Sequence, residues 1–148
     1  MKTMWIVVAD EAIARIVELD RREKVLKPVE EIADPDAHAS EAELRRDAQG
    51  RRNPGGAASG PGTVTSSASE DPSLQHAEVF AKKVADWLRQ AHGQQRFEEL
   101  TVFAAPRFLG LLRKAFDKNL TAAVVRDEPK DYVHFTNDAI YGVLFPAA

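Results

Sequence analysis

The stretch from Arg45 to Gly62, RRDAQGRRNPGGAASGPG, constrains the fold most, because it has almost nothing to bury. Its five glycines and two prolines come without the large apolar side chains that offset the entropy of ordering a chain. The low-complexity character continues through Thr63–Ser69, so a flexible loop is expected over residues 45–70, preceded by at most a short helical turn at Glu41–Leu44. In a chain of 148 residues, what remains on either side has to share one core, which makes residues 1–148 a single expected domain.

The same stretch inverts the local charge. Arg45, Arg46, Arg51 and Arg52 stand against Asp47 alone, while the whole chain carries a net charge of −3. A protein of sequence pI near 5.8 is not coated in positive charge, so any contact with a polyanion has to be local. The chain has no cysteine, which removes disulfides, thiol nucleophiles and thiolate zinc sites. Its apolar start, Met4–Ala9, is too short to span a membrane and lacks a signal-peptide cleavage pattern, so no membrane insertion and a cytoplasmic location are expected.

Taken in order, Met4–Ala9 is a continuous β-branched and aromatic run, the mark of a central strand buried on both faces. Asp10–Ile13 turns it into a half-exposed strand, Ala14–Leu19, and a polar turn leads to a third strand, Lys24–Ile32. Pro28 places that third strand at an edge or over a bulge, because proline cannot donate to a ladder. Asp71 and Pro72 then suit the N-cap and first position of a helix. Ala77, Phe80, Ala81, Val84, Leu88 and Ala91 give it an apolar stripe, with Gly93 closing it in a left-handed conformation. Glu99–Ala105 reads as a second central strand ending at Pro106, and Phe108–Phe116 as a helix with Leu109, Leu112 and Phe116 inward, ending near Asn119. Thr121–Val125 reads as a last strand, Arg126–Lys130 as a charged connection, and Thr136–Phe145 as a terminal helix with Ile140 and Leu144 inward. The fold class is therefore α/β: one mixed sheet, an antiparallel meander first, then helix, strand, helix, strand, helix.

Several segments together carry a resemblance. Trp5–Asp10 with Ala14-Arg15-Ile16, Asp47–Arg51, His76 with Phe80-Ala81, Ala105–Arg113 and Lys130-Asp131 make the whole chain similar to the bacterial host attachment protein family. The most specific portion is Ala105-Pro106-Arg107-Phe108-Leu109-Gly110-Leu111-Leu112-Arg113. That resemblance implies a role in attachment to host cells and names no reaction. More distantly, the organisation resembles the middle domain of archaeo-eukaryotic peptide-chain release factors. This second likeness implies an RNase H-like sheet whose glycine-rich loop precedes a long helix and reaches the ribosome. The release factors carry a Gly-Gly-Gln loop, whereas here Gly55-Gly56 is followed by Ala57, which removes the side chain that chemistry uses.

Two candidate sites follow. The first is a polyanion-binding loop of Arg45, Arg46, Arg51 and Arg52 with Gly55 and Gly56: guanidinium groups fork onto phosphates, and glycines let backbone amides approach. It has no aromatic residue on which bases would stack, and a solvated tether is the plainer account of the same residues. The second is a cleft beyond the strand ends, where α/β proteins bind ligands, formed by Asp10, His76, Pro106, Arg107, Arg113 and Asp131. Turn, cap and surface-pair roles are the plainer account there. His38, His76, His92 and His134 share no metal-ligand spacing, no Gly-Lys-Ser/Thr follows Gly50–Gly62, and Ser66, Ser67 and Ser69 sit in no Gly-x-Ser-x-Gly elbow. No catalytic residue, metal or cofactor is assigned. The expected function is non-enzymatic binding of RNA, the ribosome or another polyanion; the alternatives are a metal-dependent hydrolase or nuclease at the cleft, or an adaptor that binds protein only.

Overall fold

Trp5, Ile6, Val7, Val8 and Ala9 are all buried, which is possible only in a strand covered on both faces. The computed structural model describes residues 1–34 and 72–147 and makes this strand, β1 (Met4–Ala9), the third of five. β2 (Ile13–Asp20) and β3 (Val25–Ala33) add antiparallel on one side; β4 (Glu99–Ala104) and β5 (Val124–Glu128) add parallel on the other. The order is β3-β2-β1-β4-β5. The Arg45–Gly62 loop and the Glu41–Leu44 turn lie outside the described residues.

Alternation sorts the β1 and β4 side chains between two cores. Trp5, Val7, Ala9, Leu100, Val102 and Ala104 face one helical layer. Ile6, Val8 and Phe103 face the other. The thicker layer contains α1 (Pro72–Gly93), whose buried stripe is the six expected residues plus Ala85. Phe80, Val84 and Leu88 are wholly enclosed, each stabilising the fold by about 1.5–3 kcal/mol. α2 (Pro106–Ala115) packs beside it, with Phe80 and Phe108 stacked at 5.6 Å between ring centroids. Among the described helices, only α4 (Asn137–Leu144) lies on the opposite face; it buries Ile140 and is N-capped by Thr136 Oγ1, which accepts from the Ala139 amide. Leu144, expected inward, is only partly buried.

β3 is an edge strand and also carries the irregularity Pro28 implies: its register slips between Ile16 and Val17 of β2. Three expectations fail. α2 stops at Ala115 rather than near Asn119. No glycine among the described residues has positive φ, so Gly93 is not the left-handed terminator; Gln95 takes that conformation, at φ 62°, while Arg96 N reaches back to Ala91 O. The last strand is displaced as well. Asp117 Oδ1 accepts from the Leu120 amide and nucleates a short helix, α3 (Lys118–Ala123), through Asn119 and Thr121. β5 therefore begins only at Val124, and Arg126–Glu128, expected in a connection, complete the strand.

Candidate functional site

The carboxyl ends of β1 and β4 lie side by side, tied where Ala105 N donates to Ala9 O at 3.2 Å. Asp10 follows β1 and closes its turn from within: Oδ1 accepts from the Ala12 and Ile13 amides at 2.8 and 2.9 Å, and Asp10 N donates to Ile13 O. One oxygen of that carboxylate is thus committed to the backbone. β4 ends at Pro106, which occupies the first turn of α2 and brings Arg107 to the same rim.

Arg107 is the hub there. Its Nε and Nη2 fork onto Glu11 Oε2 and Oε1, both at 2.7 Å, and Nη2 also reaches Ser73 Oγ at 2.9 Å. Three segments far apart in sequence meet through it: the β1–β2 turn, the start of α1 and the start of α2. Asp34 N donates to Ala12 O at 2.9 Å, so the residue just before 35–71 is held at the same turn. Asp34 and Ser73, on either side of 35–71, are therefore both tied to Asp10–Ile13, Ser73 through Arg107 and Glu11. His76 is exposed on α1, one turn beyond Ser73.

The other cleft candidates lie elsewhere. Arg113 is six residues along α2, about 9 Å from Arg107 along the helix axis, and forks onto Asp127 of β5 at 2.9 and 2.8 Å. That fork holds the Asp127 carboxyl below its ordinary pKa, with desolvation opposing, and raises Arg113. Asp131 follows β5 and accepts from Val133 N at 3.2 Å as the chain crosses to the α4 face, where Tyr132 packs edge-on against Phe103. The structure thus brings Asp10, Pro106, Arg107 and the start of α1 to one rim, and it places Arg113 and Asp131 in separate structural contacts. Among the described residues, no three His, Asp or Glu side chains are grouped so as to hold a metal ion, and no helix is long and apolar enough to cross a membrane. Arg45, Arg46, Arg51, Arg52, Gly55 and Gly56 lie outside the described residues.

Two residues escape a reading by sequence alone, Glu11 at this rim and Arg15 on the α4 face of the sheet. Glu11 is separated from Arg107 by 96 positions, and nothing local announces the pair. Arg15 looks like the exposed half of an alternating strand, yet Nη1 donates to Val133 O and Phe135 O, both at 2.7 Å, and Nη2 to Asn137 Oδ1 at 2.6 Å. It fastens the approach to α4 onto β2.

No curated protein matches the chain at a significant level of similarity. Residues 5–144, which run from the first strand through the last helix, match the family described as "Protein required for attachment to host cells", and the chain belongs to that family.

Proposed function

We propose that this chain is a non-enzymatic, cytoplasmic binding protein that engages an RNA-containing partner, such as the ribosome, through Arg45, Arg46, Arg51 and Arg52, with Gly55 and Gly56 allowing close backbone approach. One observation supports the reading above the rest. Asp34 and Ser73, on either side of residues 35–71, are both held at the Asp10–Ile13 turn, Ser73 by way of Arg107 and Glu11. The residues that flank the basic segment thus lie near the carboxyl ends of β1 and β4, the side of an α/β sheet where ligands bind. The likeness to release factors supports it too, since their glycine-rich loop occupies the corresponding place before a long helix. Ala57 in place of the glutamine favours contact without peptide release.

The hydrolase reading has less behind it. Two-metal chemistry needs several carboxylates converging on one spot, whereas Asp10 serves a turn and Asp131 a connection on the other face. Binding of a labelled single-stranded RNA, titrated against salt, tests the proposal. Four phosphate contacts on a single strand give a log–log slope of about −3, and replacing the four arginines by alanine abolishes it. Affinity unchanged in that variant would refute RNA contact through the segment, and binding only to protein, insensitive to salt, would point to an adaptor.

A further inference from the structure

The two edges of the sheet are treated differently. β3 is defended against pairing: Pro28 offers no amide, the register slips beside it, and Glu30 and Glu31 are exposed. β5 slips register too, between Leu100 and Thr101 of β4, but no proline interrupts Val124–Glu128. Its one ladder partner is β4, and among the described residues no other backbone pairs along its outer side. A hollow of about 280 Å³ runs beside it, floored by Phe116, Val124 and Val125, and Val125 is 52% exposed.

We infer that β5 is the dimer edge of this protein, pairing antiparallel with β5 of a second copy about a two-fold axis at Asp127. Such an axis, normal to the sheet, keeps every side chain on its own face, so the register has to be centred on a residue. Centring on Arg126 opposes two guanidinium groups. Centring on Val125 sets Arg126 against Val124 and leaves Glu128 without a charged partner across the strands. Centring on Asp127 sets each Arg126 opposite Glu128 of the other copy. Arg126 lies over the Phe103 ring at 5.3 Å and already bonds its own Glu128, Nε to Oε2, at 2.6 Å. The four side chains then alternate in sign around a ring. On the other face the two Asp127 carboxylates meet, each already neutralised by the two-bond fork of its own Arg113. The Arg126–Glu128 face of the edge is self-complementary in charge, which identifies a second copy as its occupant.

Sedimentation velocity over a concentration series, with cysteine trapping, tests this. The wild-type chain sediments as a dimer at high concentration. Arg126→Glu, which sets like charges opposite each other twice, raises the dissociation constant about tenfold or more, and the double variant Arg126→Glu with Glu128→Arg restores it. The chain has no cysteine, so oxidised Asp127→Cys yields a disulfide-linked dimer, because directly opposed Cα atoms lie about 4.5–5.5 Å apart. Val125→Cys does not, since its copy is about 14 Å away in this register. Circular dichroism confirms that each variant is folded. A wild-type chain that stays monomeric at its highest soluble concentration would overturn the inference. So would an Arg126→Glu variant that sediments as wild type, or trapping through residue 125 instead of 127.

Discussion

Arg107 grips Glu11 through two hydrogen bonds of 2.7 Å across 96 positions of sequence, and the same guanidinium reaches Ser73 at the start of α1. Both members of the pair are partly exposed, at 44% and 35% of side-chain surface, so the pair adds less than about 1 kcal/mol to global stability. Its effect is local. Arg107→Ala should leave the melting temperature nearly unchanged while speeding amide exchange in the first turns of α1, and Glu11→Gln should do so more weakly. Equal exchange in the variant and the wild type would show that α1 is anchored without this fork.

Arg15 carries more of the fold. Removing it strands the Val133 and Phe135 carbonyls and Asn137 Oδ1, to which it donates at 2.7, 2.7 and 2.6 Å. Arg15→Ala should cost about 1.5–3 kcal/mol, lowering the melting temperature by roughly 4–10 °C. Arg15→Lys, lacking the fork, should recover only part of that loss. Calorimetry of the two variants is the check, and a lysine variant as stable as wild type would mean that charge alone suffices.

Trp5 is 1% exposed, stacks on Phe97 at 4.7 Å and on Trp87 at 5.7 Å, and donates from Nε1 to Glu18 at 2.7 Å. Arg96 lies 5.1 Å over its ring and 5.5 Å over that of Trp87. Trp5→Ala should destabilise the protein by about 3–5 kcal/mol, as judged by urea midpoint, and Trp5→Phe by clearly less. Similar midpoints for the two variants would contradict a packing role for the ring.

Among the described residues, two carboxyls are held below their ordinary pKa: Asp127 by the Arg113 fork, and Asp20 by the Glu23 amide first and Lys27 second. A depressed folded-state pKa contributes stability in full above the unfolded value, near 3.8, and that stability is lost as pH falls through the folded one. Wild-type stability should therefore hold above about pH 5 and decline below it. Asp127→Asn should be slightly less stable at pH 7, with the gap closing in acid. A gap that widens in acid would reverse the sign of the argument.

The elements most legible in the sequence are those whose period settles the matter locally. Met4–Ala9 cannot be amphipathic in any conformation, and the α1 stripe from Ala77 to Ala91 repeats over four turns, so both emerge as read. Thr121–Val125 has no such period. Asp117, which caps α3, and Arg113, which secures Asp127 in β5, decide where helix ends and strand begins. At the rim, Pro106 and Arg107 are legible because a proline after an apolar strand marks its carboxyl end. The partners of Arg107, and the structural duties of Arg113 and Asp131, depend on the β4–β5 crossover and on the connection to α4, which no local pattern encodes.

The most direct measurement of the central claim is the RNA recovered with the protein from cell extract, for the wild type and for the variant with Arg45, Arg46, Arg51 and Arg52 replaced by alanine. Binding through the basic segment predicts ribonuclease-sensitive RNA with the wild type and its loss with the variant. Equal RNA content in the two, or partners retained in full after ribonuclease, would contradict it.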